Sequence, residues 1–175
     1  MEHAPSKCIL CNSSNRTILI QIGDWNIYKC ADCGLDFLDP RLDQDELQDL
    51  YRNDYFSSHY DEALKIDSPE MKRRISQEEH RIKLFRGLKR HGKVLDIGCG
   101  MGYFLHIGRI YGYEVEGIDV SDDSASYVRN ELKIPVTTGS IEEINFKDDS
   151  IDIITIWHIL EHTPDPRKHL KKARM

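Results

Sequence analysis

Residues 94–102 read VLDIGCGMG, a short apolar strand that carries one acid and runs directly into a turn with three glycines. Residues 103–111 follow with a helical pattern, and Gly112 stands where a helix commonly ends. A strand, a glycine-rich turn and a helix form the first unit of a nucleotide-binding α/β fold. The glycines let the backbone pass close to a ligand, because they carry no side chain.

A second acid follows at the spacing that this fold uses for a ribose. Residues 114–118 are predicted as a second strand, which ends in Asp119, 21 residues after Gly98. An acid at the tip of the second strand can accept hydrogen bonds from both ribose hydroxyls. We therefore expect Asp119 to bind a ribose, and Ser121 to cap the helix that follows.

The spacing of the glycines separates two classes of nucleotide. A pyrophosphate-binding turn reads Gly-x-Gly-x-x-Gly, whereas here the third glycine comes one place early and Tyr103 stands where that pattern needs Gly or Ala. Asp96, close before the turn, is a poor neighbour for a diphosphate but suits a cationic amino group. We therefore expect a nucleoside with a positively charged tail. An NAD-dependent oxidoreductase is the disfavoured alternative.

These residues resemble the S-adenosylmethionine-dependent methyltransferases of the Rossmann-like class. Residues 94–102 are similar to the first motif of that family, residues 117–119 to the second, and residues 152–162 to the fourth-strand motif that faces the acceptor. The resemblance implies an α/β fold with a doubly wound, mostly parallel sheet. It also implies methyl transfer from S-adenosylmethionine to a small-molecule acceptor.

The resemblance assigns roles to the acids and glycines already described. Asp96, Gly98 and Gly100 would hold the methionine end of S-adenosylmethionine, and Asp119 would bind its ribose. Cys99 in the same turn is interpreted as a small space-filling residue, because methyl transfer needs no nucleophilic thiol.

Four further residues are implied as cofactor contacts. Val120 would lie beside the adenine, which Ser140 and Ile141 would contact from the end of the third strand. Many relatives have an acid at the position of Ser140, to accept from the adenine amino group. Trp157 would lie at the mouth between cofactor and acceptor.

Two histidines follow the fourth predicted strand, at the carboxyl edge where open α/β sheets bind ligands. His158 and His162 are candidate catalytic bases, since an oxygen or nitrogen acceptor can transfer its proton to a base that titrates near neutral pH. The alternative is that alignment of the acceptor suffices. Glu161 and His162 would then merely cap the next helix.

Four of the five cysteines form two pairs that indicate a metal site. Two residues separate Cys8 from Cys11 and Cys30 from Cys33, and eighteen residues lie between the pairs. This spacing is typical of a four-thiolate zinc ribbon, in which no coordination position stays open, so the zinc would be structural. Disulfides and a redox pair are the alternatives; the first is disfavoured without a secretion signal, and the second needs only one pair.

The uneven charge of the chain predicts three segments: a zinc-ribbon head at 1–41, a helical linker and lid at 42–92, and the N-terminal part of the methyltransferase domain at 93–175. Within the linker, residues 43–51 are predicted as a short helix. Tyr55 or Phe56 is interpreted either as packing on the core or as part of a lid over the ligand.

A basic helix closes the linker. Residues 69–93 contain nine Lys and Arg against three acids, and the apolar residues Met71, Ile75, Ile82, Phe85 and Leu88 recur at helical spacing. The cations are interpreted as a solvated face of this helix rather than as a phosphate-binding patch. Ser68-Pro69 is predicted to open the helix and Gly92 to end it.

The composition limits the partners. The 175 residues contain 24 Lys and Arg against 30 Asp and Glu, and the net charge of −6 argues against nucleic-acid binding through a broad basic surface. No apolar run reaches the roughly 18 residues of a membrane span, and no signal peptide is visible, so the expected location is cytoplasmic.

The chain is expected to be incomplete at its C-terminus. Only about four strands are predicted, near 93–97, 114–118, 134–137 and 151–157, whereas the family's sheet implies about seven. The apolar fourth strand would leave an unpaired edge, which more of the chain or a second copy would cover. A non-catalytic interaction module, with a zinc ribbon and a vestigial nucleotide fold, is a further hypothesis.

Overall fold

The computed structural model describes residues 7–40, 46, 67–146, 149–163 and 165–174. Its cysteine-bearing head is an antiparallel sheet in the order β1 (Arg16–Ile22), β2 (Trp25–Cys30) and β3 (Asp36–Asp39). A tight turn joins β1 to β2, and Gly23 has a φ of +59° there. β3 was not predicted, because a four-residue strand with an acid at each end shows too little alternation.

The rest of the chain alternates helices and strands. They are α1 (Pro69–Arg86), β4 (Lys93–Ile97), α2 (Tyr103–Ile110), β5 (Glu114–Asp119), α3 (Asp122–Tyr127), β6 (Val136–Thr138), β7 (Ile153–Ile156) and α4 (Pro166–Ala173). A π-helical turn, Val128–Leu132, extends α3, and a 3-10 turn, Leu160–His162, precedes α4.

The four strands of this second part form one parallel sheet in the order β6-β5-β4-β7. Apolar side chains cover both faces, because successive residues of a strand point to opposite sides. Val94 packs on one face with Ile82 of α1 and Leu105 of α2. Leu95 packs on the other face, where Ala173 of α4 also lies. The predicted α/β fold with an incomplete, doubly wound parallel sheet is confirmed.

Two predicted helix starts are confirmed by their capping hydrogen bonds. The Ser68 hydroxyl accepts from the Met71 backbone N–H at 3.0 Å, with Pro69 in the first turn of α1. The Ser121 hydroxyl accepts from the Ser124 N–H at 3.2 Å at the start of α3. Each cap pairs one of the N–H groups that a helix start leaves without an intrahelical partner.

The predicted end of α1 is wrong. α1 ends at Arg86 rather than at Gly92, and Leu88, expected on its buried face, is 91% exposed. The N–H groups of Leu88 and Lys89 both bond to the carbonyl of Phe85, so the chain turns out of the helix here. Gly92 instead leads into β4 with a φ of +139°, where a Cβ would lie 2.5 Å from the Asp152 carboxylate.

The linker predictions fall mostly outside the described residues. Of the short helix predicted at 43–51, the structure describes only Glu46, which is helical, and the lid residues Tyr55 and Phe56 lie outside it. α1 itself packs into the core of the α/β sheet: Ile82 is completely buried, and the Phe85 ring meets that of Phe104 edge to face at 6.3 Å. The three segment boundaries remain predictions.

β7 lies at one edge of the described sheet, as predicted. Ile153, Ile154 and Ile156 are half-buried there, so an apolar strand stands at the edge of what the structure describes. Across the described ranges, we find no helix whose length and hydropathy would suit a bilayer crossing.

A single methyl group at Gly117 is expected to destabilise the sheet. Its Cβ would lie 2.6 Å from the Cys99 Sγ and 2.8 Å from Leu105 Cδ1, so Gly117→Ala should lower the free energy of unfolding by about 1–3 kcal/mol. Urea denaturation measures this change, with Gly87→Ala as the control, since its Cβ meets open space at an ordinary φ of −66°. Equal stability of the two variants would contradict the predicted crowding.

Candidate functional site

The glycine turn lies at the carboxyl edge of the sheet and is fixed from two sides. Gly98, Gly100 and Gly102 have φ values of +74°, +50° and +70°, a region that L side chains rarely adopt. The N–H groups of Gly98 and Cys99 both bond to the carbonyl of Ile118, at 2.8 and 3.0 Å. The turn that follows β4 is therefore held on the neighbouring strand β5.

One side of this turn is open. Among the described residues, nothing lies within 4 Å of the position that a Cβ of Gly100 would take, whereas one at Gly98 would overlap the Ile159 side chain. At Gly102 a Cβ would come within 2.9 Å of Val128. The turn thus offers its bare backbone to a ligand at Gly100, where a side chain would fill the space.

Asp119 joins the tip of β5 to the glycine turn. One carboxylate oxygen accepts from the Gly100 N–H at 2.7 Å, and the other accepts from the Ser121 N–H at 2.9 Å. Burial raises the pKa of this carboxyl, and the two hydrogen bonds oppose the rise. Each carboxylate oxygen has a second lone pair, so Asp119 can still accept from two hydroxyl groups.

Asp96 lies beneath the same edge and is only 3% exposed. Thr155 of β7, its register partner, donates a hydrogen bond to the carboxylate at 2.7 Å. Burial raises the pKa of Asp96 to about 7, because the charged form loses its hydration; the Thr155 hydrogen bond and the charge of Arg81 lower it, while Glu78 and Asp119 raise it. An ammonium group beside this carboxylate would favour its charged form.

A cation near Asp96 was missed by the sequence analysis. Arg81 of α1 has a side chain only 17% exposed, pairs with Glu78, and stacks over the Trp157 ring at 4.9 Å. The signal was present: Glu78 interrupts the apolar stripe of α1, and a charged residue on a packed face needs a partner. The cations of α1 were all interpreted as solvated, and for Arg81 that interpretation is wrong.

Trp157 follows β7 and contacts the helices beside Asp96. Its ring meets Phe104 of α2 edge to face at 5.8 Å. The buried indole Nε1–H has no hydrogen-bond partner among the described residues, and a donor without a partner is costly to bury. An acidic group, a basic group and a spare N–H donor therefore meet at one end of the glycine turn.

The head brings its four cysteines together. The sulfurs of Cys8, Cys11, Cys30 and Cys33 all lie within 4.8 Å of one another, with pairs at 3.5 Å from Cys8 to Cys33 and from Cys11 to Cys30. A tetrahedral ion at Zn–S distances of about 2.3 Å needs sulfurs about 3.8 Å apart, which this cluster accommodates. Gly34, with a φ of +77°, closes the second knuckle by donating to the Cys30 carbonyl.

The second part of the chain matches a known family. Residues 69–174, more than half of the chain, match the family described as a methyltransferase domain. The chain belongs to this methyltransferase-domain family. The resemblance to S-adenosylmethionine-dependent methyltransferases is confirmed, and the described α/β sheet with its glycine turn lies within the matched residues.

The curated relatives of the methyltransferase domain include methyltransferases that are named for different compounds. A ubiquinone biosynthesis O-methyltransferase of Coxiella burnetii is 34% identical over 85 residues, which cover 46% of this chain and 36% of that protein. A norajmaline N-methyltransferase of Rauvolfia serpentina is 26% identical over 92 residues, covering 48% and 32%. The chain thus spans about a third of the length of these relatives.

Solved structures show the same fold. The PH0226 protein of Pyrococcus horikoshii has a TM-score of 0.52 and 32% identity, over 63% of this chain and 54% of its own. The plantazolicin methyltransferase BpumL, solved with a substrate analogue and S-adenosylhomocysteine, has a TM-score of 0.54 and 21% identity, over 72% and 50%. At 21% identity, the similarity to BpumL shows the fold alone.

The residues predicted to contact adenine lie in different surroundings. Val120 is 69% exposed, directly after Asp119. Ser140 is half-buried after β6, and its hydroxyl accepts from the Glu142 N–H at 3.3 Å. The Ile141 side chain is buried in the core with Leu95 and Ile118, so only its backbone can face an adenine. The adenine contacts of all three residues remain predictions.

The two histidines lie beside the carboxyl end of β7. His158 is exposed and has a φ of +55°, an uncommon backbone conformation for a residue with a side chain. Its Nδ1 lies 3.5 Å from the Glu161 carboxylate. His162 is exposed in the 3-10 turn. Both positions border the predicted acceptor side, and a role for either as a base remains a prediction.

Cys99 is buried within the methyltransferase domain. It is 8% exposed, and its sulfur lies against the backbone of Gly117. Burial and the nearby charge of Asp119 raise the pKa of its thiol, so the reactive thiolate is disfavoured. These surroundings agree with the interpretation of Cys99 as a space-filling residue.

Asp96 is expected to give the ligand-free chain a pH-dependent stability. The folded state keeps the Asp96 proton up to about pH 7, whereas an unfolded aspartate titrates near its ordinary value of 3.8. Between these values the folded state binds more protons, so the free energy of unfolding falls as pH rises. Asp96→Asn should remove this contribution to the pH dependence. The contribution amounts to a change in the free energy of unfolding on the order of a few kcal/mol between the two pKa values.

Thermal melting of both proteins between pH 5 and pH 8, at constant ionic strength, measures the difference. The melting temperature of Asp96→Asn should rise relative to that of the native chain as pH increases, because the amide stays neutral. The other ionisable groups are present in both proteins, so the difference between the two profiles comes from Asp96 and from its interaction with charged neighbours such as Asp119. Parallel profiles would contradict the raised pKa of Asp96.

Proposed function

We propose that this chain carries the cofactor-binding part of an S-adenosylmethionine-dependent methyltransferase that acts on a small molecule. The observation that carries the proposal is the Asp119 carboxylate, hydrogen-bonded at 2.7 Å to the N–H of Gly100 beside the open backbone of the turn. A nucleoside over Gly100 would place its ribose hydroxyls at the free lone pairs of Asp119. The early third glycine disfavours a diphosphate at the same place.

The methionine end of the cofactor is an amino acid with one positive and one negative group. The buried Asp96 fits the ammonium group, and Arg81 fits the carboxylate, with the Trp157 indole N–H as a further donor. Arg81 already pairs with a carboxylate, that of Glu78, and its planar fork can exchange one such partner for another. The donor set therefore fits a zwitterion better than a phosphate.

S-adenosylmethionine, when bound, supplies an electrophilic methyl group to the acceptor. The task of the chain is to align the acceptor and to exclude water, since in-line transfer depends mainly on positioning. Asp96, Arg81 and Asp119 would hold the two ends of the cofactor. His158 and His162 border the acceptor side, where either can take the proton of an oxygen or nitrogen acceptor.

The small-molecule acceptor is supported by the relatives and by charge. The ubiquinone biosynthesis O-methyltransferase and the norajmaline N-methyltransferase are both named for small molecules. The net charge of −6 disfavours a nucleic-acid acceptor. Since the matched relatives are much longer, further chain or a second copy at β7 would complete the acceptor pocket.

The four-cysteine cluster is proposed to hold one structural zinc ion. Four sulfur donors at tetrahedral spacing leave no position for a substrate, so the ion would stabilise the head rather than act in the reaction. The apolar core of the head is small: among residues 7–40, which the structure describes, Cys8, Cys30 and Phe37 are the buried members. Metal binding would therefore supply much of its folding free energy.

Two substitutions should separate the ends of the cofactor site. Asp119→Asn is expected to weaken binding of both S-adenosylmethionine and 5′-methylthioadenosine by about 10- to 100-fold, because both carry the ribose. Arg81→Gln should weaken the binding of S-adenosylmethionine about tenfold. It should leave the binding of 5′-methylthioadenosine unchanged, because that ligand lacks the amino-acid part. Isothermal titration calorimetry measures each dissociation constant.

The control is Asp123→Asn, which removes one exposed negative charge from α3 and should alter neither constant. Titration with NAD tests the oxidoreductase alternative on the same proteins. Binding of NAD in place of S-adenosylmethionine would overturn the proposed function. Loss of 5′-methylthioadenosine binding in Arg81→Gln would refute the carboxylate role of that residue.

The zinc proposal predicts about one zinc ion per chain in protein purified without chelators. Cys33→Ser should lose the ion on dialysis, because three thiolates and a hydroxyl bind zinc more weakly, whereas Cys99→Ser should retain it. Elemental analysis by mass spectrometry measures the content. Native protein without metal, or equal loss in both variants, would count against the assignment.

A further inference from the structure

A groove of about 660 Å³ lies between the first cysteine knuckle and α4. It is lined by Lys7, Cys8, Ile9, Asn12, Asp165, Arg167, Lys168 and Lys171. This volume is within the range of sites that bind small molecules. The family match begins at residue 69, so half of the lining comes from the head, outside the matched domain.

The groove has a surplus of positive charge. Lys7, Arg167 and Lys171 are exposed, and none of them forms an ion pair among the described residues. Lys168 is neutralised by Glu142, with which it forms a salt bridge. The one acid of the lining, Asp165, caps α4 by accepting from the Lys168 N–H at 3.1 Å, so its charge already faces a helix start.

The charge of the groove contrasts with that of the whole chain. Three unpaired cations face one space on a protein with a net charge of −6. A cleft in which positive charge prevails attracts small anions, whereas a long polyanion would also meet the acidic surface around it. The pattern favours a compact anion with several charges, and Arg and Lys together suit phosphate oxygens.

The position of the groove connects it with the acceptor side. α4 begins four residues after His162, at the carboxyl edge of β7 where the proposed acceptor binds. For the acceptor role, a ligand held at Arg167 would have to extend from α4 toward His158 and His162. Binding energy from such a distant group can position the reacting atom.

We propose that this groove binds the phosphate group of a small-molecule acceptor, with Lys7 of the head and Arg167 and Lys171 of α4 as its cationic ligands. The acceptor role rests on the proposed function above; the anion site itself does not. The head then contributes to substrate binding, and Ile9 and Asn12 contact the part of the ligand next to the phosphate.

Inorganic pyrophosphate is the probe for this site. Calorimetric titration of the zinc-loaded chain at constant ionic strength should show saturable binding. The double variant Arg167→Gln and Lys171→Gln should bind about tenfold more weakly, and Lys7→Gln about threefold more weakly, because each loses charge-assisted hydrogen bonds. The control, Arg90→Gln with Lys133→Gln, removes two exposed cations elsewhere and should keep the native affinity.

The outcomes separate this site from the cofactor site. All four proteins should bind S-adenosylmethionine equally, and zinc analysis of Lys7→Gln confirms that its head is folded. Three results would each overturn the proposed anion site. They are no saturable binding of pyrophosphate, an equal loss of affinity in the control variant, and a native affinity in Lys7→Gln. Tighter binding of a short oligonucleotide than of pyrophosphate would also do so. Pyrophosphate binding without S-adenosylmethionine binding would keep the anion site but reject its acceptor role.

Discussion

The hydrogen bond from the Gly100 N–H to the Asp119 carboxylate joins the two strand ends on which the site depends. Its geometry follows from the parallel pairing of β4 and β5, which brings their carboxyl ends to one edge. The Ile118 carbonyl holds the same turn by two further hydrogen bonds. Side chains at Gly102 or Gly117 would collide with packed neighbours, so the turn and β5 are closely packed at these positions. Every other proposed contact is placed relative to it.

The features that the sequence predicts correctly are those whose signal is local. The strand, glycine turn and helix at β4 and α2 are contiguous in the chain, and the caps Ser68 and Ser121 act within three residues. The paired cysteines are likewise recognisable from short spacings, and the structure brings their sulfurs together. In each case the residues that interact are neighbours in sequence or repeat a fixed spacing.

The features that the sequence does not predict are those that depend on packing between distant residues. Arg81 looks like any other cation of a basic helix until α1 lies against Trp157 and Asp96. The Ile141 side chain is buried in the core of the sheet, which leaves its backbone for the predicted adenine contact, and the sequence does not show this burial. The end of α1 was predicted at Gly92, but the glycine is needed there for a different reason: a side chain would collide with Asp152. These roles depend on residues far apart in the chain, which no short pattern contains.

The cysteine head and the α/β sheet differ in how much apolar surface they bury. The head buries few apolar side chains, whereas the sheet buries many on both faces. With zinc as the proposed ion, the folded fraction of the head would follow the supply of metal in the cell, while the cofactor site would persist. Zinc starvation would then deprive the protein of its N-terminal part without erasing its affinity for a nucleoside.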